Sequence, residues 1–316
     1  MTSTYILLVL GIIFLLKSAD WIIDWAALLA KIFWVSNLVI GLTIVAFGTS
    51  LPELVVNLFA AFKWSQWIAF GNIIGSNIAN LLVGFGIMSI IWTIHIKKRI
   101  VIYEIPFAIL ATLILLILTW NIFEAKEFIT RNDGLILIFL FIIFLYYLYQ
   151  SRLINAEKDI SLDIKSEKLK TFGKLFLGII WIYFGGRWVV DWAVAIAELF
   201  WLSTFLISAT VIALWTSLPE LTVSIIAFSK GNTDLAIGNI VGTNIFNIFL
   251  VFGIVPLISP IKIPNFVGFD IGMLLLFTLW VFVFIFINKK HKLKKNHWIL
   301  FLLFYVLYVT YIVYRG

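Results

Sequence analysis

The stretch Gly48-Thr49-Ser50-Leu51-Pro52-Glu53-Leu54 returns 167 positions later as Trp215-Thr216-Ser217-Leu218-Pro219-Glu220-Leu221. Outward from these two stretches the register holds. Residues 20–87 align with 187–254 without a gap, and 31 of the 68 pairs are identical. Trp21 matches Trp188, Asp24 matches Asp191, and Phe33-Trp34 matches Phe200-Trp201. Gly71-Asn72-Ile73 and Gly75, Asn77 and Asn80 match Gly238-Asn239-Ile240 and Gly242, Asn244 and Asn247. Chance apolar similarity does not keep register across Pro, Glu and Asn positions, so the chain contains an internal repeat.

The surroundings of the repeat fix the class. Of 316 residues, 63% are apolar and 12% charged, with 30 Phe and 14 Trp. A soluble domain is about a quarter charged, so this is an integral membrane protein. Segments near 4–27, 37–61, 67–92, 100–120, 134–150, 172–197, 204–228, 234–258, 266–288 and 297–314 are long and apolar enough to cross a bilayer as helices. They run past strand length and lack the alternation of a membrane barrel. The expected fold is therefore all-α, with ten transmembrane helices in two five-helix repeats. The first repeat is 1–150, with its motif in 41–87. A cytoplasmic linker covers 151–171. The second repeat is 172–316, with its motif in 208–254. Five spans are an odd number, so the second repeat enters the membrane from the opposite side. Such inverted-topology repeats are a signature of secondary transporters.

Charge gives the orientation. With the N-terminus outside, inward segments carry sixteen Lys and Arg and outward segments five. The positive-inside rule then places both termini extracytoplasmic. The net charge of +7 reads as this topology signal, not as a nucleic-acid footprint. With no Cys and three His, thiolate or imidazole metal sites and a Cys nucleophile have no residues to use.

Glu53 and Glu220 lie well inside spans two and seven. An ionised carboxylate at mid-bilayer costs on the order of 3 kcal/mol, and no Lys or Arg shares their depth. Pro52 and Pro219 remove a backbone donor beside each acid and disturb the turn before it. Carbonyls near Ala46–Thr49 and Ala213–Thr216 are thereby freed, and Thr49, Ser50, Thr216 and Ser217 add hydroxyls. In spans three and eight, Asn72, Ser76 and Asn80, and likewise Asn239, Thr243 and Asn247, recur every fourth residue and form one polar stripe per helix. Asn72 and Asn239 suit interhelical glue; Ser76, Asn80, Thr243 and Asn247 are expected to face the acids. Such an all-oxygen set suits hard cations, Na⁺ or Ca²⁺. Two carboxylates balance one Ca²⁺ or two Na⁺.

On Gly-Thr-Ser-Leu-Pro-Glu followed by Gly-Asn-x-x-Gly-Ser-Asn, twice in inverted halves, the chain resembles the sodium/calcium exchangers of the Ca²⁺/cation antiporter superfamily, in their short prokaryotic form. The resemblance implies exchange of Na⁺ for Ca²⁺ by alternating access, with one central Ca²⁺ site flanked by Na⁺ sites. It implies that Glu53 and Glu220 serve both ions and that Thr49 and Thr216 offer backbone carbonyls to Ca²⁺. Ser50, Ser217, Ser76, Thr243, Ala46 and Ala213 would serve the outer Na⁺ sites, and Asn80 and Asn247 would line the centre. No cofactor is implied beyond the transported ions. The bilayer of a cell (inner) membrane is the setting, and a monomer is expected. Two positions depart from the pattern. Prokaryotic members often carry Asp where this chain has Asn247, which removes a titratable group. Trp215 replaces the glycine kept at Gly48, where an indole reshapes one access route, fills a gap beside the sliding helices, or alters ion choice or transport. The alternatives are a Ca²⁺/H⁺ or K⁺-linked exchanger of the same superfamily, and a passive channel. An intramembrane hydrolase lacks a nucleophile–base pair at the depth of the acids, so no enzyme is expected.

Overall fold

The computed structural model describes residues 35–62, 66–120, 127–151, 206–264, 266–288 and 291–315, with isolated positions among 10–28 and 173–184. Apart from those positions, the expected spans at 4–27 and 172–197 and the linker lie outside the described residues. The other eight expected spans are present to within a few residues.

Each repeat begins, in the described part, with a broken span. α1 (Asn37–Thr49) and α2 (Leu51–Phe62) meet at a 43° bend, and α6 (Ser208–Thr216) and α7 (Leu218–Ser229) meet at a 47° bend. The bends fall at Ser50 and Ser217, whose ψ angles of 1° and −4° flatten the helical turn. Pro52 and Pro219 explain the position, because neither has an N–H to offer the carbonyl four residues back. Two bonds still cross each break: Ser50 N–H donates to Ala46 at 3.0 Å and Leu54 N–H to Ser50 at 3.0 Å, with Ser217 to Ala213 at 3.1 Å and Leu221 to Ser217 at 2.9 Å in the second repeat. The Ala46 and Ala213 carbonyls thus keep a helical partner, contrary to the expectation that they are freed. One N–H does not exhaust a carbonyl's two lone pairs.

α3 (Ile68–Ile91) and α8 (Thr233–Ile258) follow and form the centre of the molecule, with 83% of the apolar window of each buried. Around them run α4 (Ile100–Thr119), α5 (Arg131–Ser151), α9 (Val267–Ile287) and α10 (Trp298–Arg315). Packing is exchanged between repeats: α3 crosses α6, and α8 crosses α1. Gly75 and Gly242 allow it. A Cβ at Gly75 would come within 2.6 Å of the Ala213 Cβ, and one at Gly242 within 2.8 Å of the Leu42 Cα. Small residues bring helix backbones this close in membranes.

Inversion is visible in two short antiparallel strand pairs. β1 (Ile94–His95), after α3, pairs with β4 (Lys292–Leu293), after α9. β2 (Phe128–Ile129), after α4, pairs with β3 (Ile261–Lys262), after α8. One span, α4, separates β1 from β2, so the two pairs lie at opposite ends of the bundle. β1 and β3 are repeat equivalents, and they fall at opposite ends.

The orientation is testable on the Cys-free chain. His95→Cys and Phe128→Cys each place one thiol on an exposed position at opposite ends of α4. In intact cells an impermeant maleimide should label the thiol at 128 and spare the one at 95; the reverse pattern would invert the assigned topology.

Candidate cation site

Each broken helix places an acid in the first turn of its second half. Glu53 is the third residue of α2 and Glu220 the third of α7. A helix N-terminus is the favourable end for a carboxylate. Both side chains are fully buried.

The other expected site residues come from the two broken spans and from α3 and α8. Thr49, Ser50, Ala46, Thr216, Ser217, Ala213, Ser76, Thr243, Asn80 and Asn247 are all buried. The Glu53 carboxylate faces the Thr216, Ser217 and Ser76 hydroxyls of the facing helices without hydrogen-bonding them. Glu220 faces Thr49 and lies near enough to Glu53 for their charges to interact. Ser76 Oγ donates to the Ala213 carbonyl at 3.1 Å and lies 3.2 Å from Thr216 Oγ1. Both carboxylates, the Ser50, Ser217 and Thr243 hydroxyls and the Asn80 and Asn247 amide oxygens are buried with no hydrogen-bond partner. That is nine oxygen atoms.

An orphaned buried polar group costs roughly 1–3 kcal/mol, and more when charged. The molecule shows how it treats a buried carboxylate elsewhere. Glu104 in α4 accepts from Arg99 at 3.3 Å and Tyr147 at 2.9 Å. Asp270 in α9 takes both oxygens to Arg315, at 2.9 and 3.0 Å. Among the described residues Glu53 and Glu220 have no such cation. No three His, Asp or Glu side chains cluster among the described residues either. The charge at the centre is therefore two carboxylates, and the rest of the set is neutral oxygen. Such a set can hold a hard cation with six or more oxygens.

Hydrogen bonds around the site obey the repeat symmetry. Thr49 Oγ1 donates to Asn239 Oδ1 at 3.3 Å, and Thr216 Oγ1 to Asn72 Oδ1 at 3.0 Å. Asn239 also donates to the Glu220 carbonyl at 3.1 Å and to Ser224 at 3.0 Å. In the first repeat Asn57 takes the corresponding carbonyl, that of Glu53, at 2.7 Å. Asn57, Asn77 and Asn244 were not among the expected site residues. The 167-residue offset alone signalled the last two, as an identical Asn pair.

A family model described as sodium/calcium exchanger protein matches residues 3–150 and 170–314. The chain belongs to the sodium/calcium exchanger family. Inner membrane protein YrbG of Escherichia coli (strain K12) is 32% identical over 284 residues, 86% of each chain. Sodium/calcium exchanger MaX1 of Methanosarcina acetivorans is 27% identical over 305 residues, 84% of this chain and 85% of that one. Among solved structures, the sodium-calcium exchanger NCX_Mj, soaked with 10 mM Na⁺ and zero Ca²⁺, matches with a TM-score of 0.80 at 29% identity, over 97% of this chain and 98% of that one. The same protein has been solved after soaks with Sr²⁺ and with Ca²⁺. This exchanger is thus a multi-pass membrane cation transporter with the all-α, inverted-repeat fold expected from its sequence, and not an enzyme.

If the two acids hold the ion, Glu53→Gln and Glu220→Gln should each weaken Ca²⁺ binding by the purified protein at least ~100-fold, since losing one partner of a buried charge pair costs about 3–5 kcal/mol. Titration calorimetry reads this directly. Near-unchanged affinity in both variants would remove the acids from the site.

Proposed function

We propose that the protein is a Na⁺/Ca²⁺ antiporter that binds its ions between Glu53 and Glu220 and carries them by alternating access. The observation that supports this best is the pair of fully buried carboxylates, near enough for their charges to interact, with all four oxygens unpaired. Their combined charge matches one Ca²⁺ or two Na⁺. Either load neutralises the pair, and the two loads compete for the same oxygens. Ionised and unloaded, the pair carries a charge that the protein interior penalises. Passage through an occluded state therefore favours the loaded carrier, which makes flux of one ion depend on the other.

Glu53 and Glu220 would bind both ions, and Thr49 and Thr216 would add backbone carbonyls for Ca²⁺. Ser50, Ser217, Ser76, Thr243 and the Ala46 and Ala213 carbonyls would complete the outer Na⁺ positions. Asn80 and Asn247 would line the centre. The names of MaX1 and NCX_Mj support the choice of ions. Asn247 favours Na⁺ over H⁺ as the coupling ion, because an amide does not titrate. The protein would act as a monomer in a cell membrane, an assignment supported by the inner-membrane name of YrbG, with both termini extracytoplasmic.

Reconstituted vesicles test this. Na⁺-loaded vesicles diluted into Na⁺-free medium should take up Ca²⁺, and vesicles with Na⁺ equal on both sides should not. Uptake driven instead by a pH jump or a K⁺ gradient without Na⁺ would transfer the chain to the H⁺-coupled or K⁺-linked reading. Flux that follows voltage with no counter-ion would make it a channel.

Trp215 is half-buried and packed against the hydrophobic core. This supports the gap-filling role among those open for it. Trp215→Gly should lower stability by roughly 3 kcal/mol, from lost packing and a glycine inside a helix, with uptake per folded molecule unchanged. Thermal unfolding and vesicle assays on one preparation separate the two effects.

A further inference from the structure

Four asparagines at the meeting of α3 and α8 form a closed set of hydrogen bonds. Asn77 Nδ2 donates to the Asn244 backbone carbonyl at 3.1 Å, and Asn244 Nδ2 donates to the Asn77 backbone carbonyl at 3.1 Å. The two residues are 167 apart, so each is the other's repeat equivalent and the pair lies on the axis relating the repeats. Their side-chain oxygens are occupied as well. Asn247 Nδ2 donates to Asn77 Oδ1 at 3.0 Å, and Asn80 Nδ2 donates to Asn244 Oδ1 at 3.3 Å.

We infer that Asn77 and Asn244 are positioning residues that fix which edge of the Asn247 and Asn80 amides is presented to the transported cation. The inference rests on the exchanger reading above and adds to it the device that sets the polarity of the central amides.

The logic runs outward from the backbone. A carbonyl oxygen only accepts, so the group of Asn77 that meets the Asn244 carbonyl must be its NH₂. This fixes the sense of Asn77 and turns its Oδ1 towards Asn247. An oxygen there admits only a donor, so Asn247 must turn its NH₂ to the clamp and its Oδ1 away. The same sequence of steps, mirrored, fixes Asn80. Both released oxygens are buried and unpaired. Asn80 and Asn247 lie one turn after Ser76 and Thr243, on the stripes that carry the other site oxygens. A free amide can flip and present NH₂ to a cation, which repels it. These amides cannot flip without leaving a buried oxygen against another oxygen.

Two double-mutant cycles on the purified protein test the assignment, with the Ca²⁺ dissociation constant read by calorimetry without any Na⁺ gradient. Asn77→Ala and Asn247→Ala should each raise that constant about tenfold, and the double variant should add little to Asn247→Ala alone, as for residues acting through one another. Asn244→Ala with Asn80→Ala gives the mirror cycle. Effects that multiply in both cycles would overturn the inference, and so would an unchanged constant in both clamp variants. If Asn77→Ala fails to fold, the mirror cycle decides. Failure of both clamp variants to fold would also overturn it, by making the amides structural supports. Wild-type protein that binds no Ca²⁺ would instead refute the exchanger reading itself.

Discussion

Two buried carboxylates lie near each other with no fixed cation among the described residues to balance them, and much of the remaining architecture answers to that constraint. Glu104 and Asp270 show that this chain can supply an arginine to a buried acid when only stability is at stake. Glu53 and Glu220 are handled differently. They stand in the first turns of α2 and α7, where the helix dipole eases part of their charge. Hydroxyls of Ser76, Thr216 and Ser217 lie beside Glu53 and that of Thr49 beside Glu220. A basic side chain at this place would stabilise the fold and leave no room for a mobile ion.

The inverted repeat supplies this construction twice, in opposite orientations across the membrane. α3 crosses α6 at Gly71 and Gly75, and α8 crosses α1 at Gly238 and Gly242, so each polar stripe lies against the broken helix of the other repeat. Neither repeat can build the site alone. Thr216 reaches Asn72, and Thr49 reaches Asn239. The strand pairs β1·β4 and β2·β3 join the repeats again at the two ends of the bundle.

Much of this was legible in the sequence because membranes make sequence patterns simple. Apolar length gave the spans, since a helix must satisfy its own backbone in lipid. The fixed offset gave the repeat, and odd parity gave the inversion. The buried acids and flanking prolines were conspicuous because mid-membrane charge is rare. Three features were not legible. The bend angles of 43° and 47° were not, because a proline marks where a helix yields and not by how much. π-helical turns at Gly41–Val45, Asn80–Gly84 and Asn247–Val251 have no composition of their own. The roles of the asparagines also escaped. Spacing by four groups Asn80 with Ser76 and leaves Asn77 off the stripe, yet the contact across the axis brings Asn77 and Asn80 into one network.

Around the acids the two halves match in plan but are bonded differently, and the differences have different origins. Asn57 caps the Glu53 carbonyl where Ser224 in the other repeat leaves that task to Asn239. This difference is written in the residues. The other is not. Ser76 and Thr243 carry the same hydroxyl, yet Ser76 bonds the Ala213 carbonyl and Thr243 bonds nothing. Equivalent chemistry is thus bonded differently in the two repeats. Inverted-repeat transporters alternate access largely by rocking one repeat against the other, a motion that does not need the matching halves to be bonded alike. The unequal pair, Ser76 and Thr243, lies on the polar stripes of the two central helices α3 and α8.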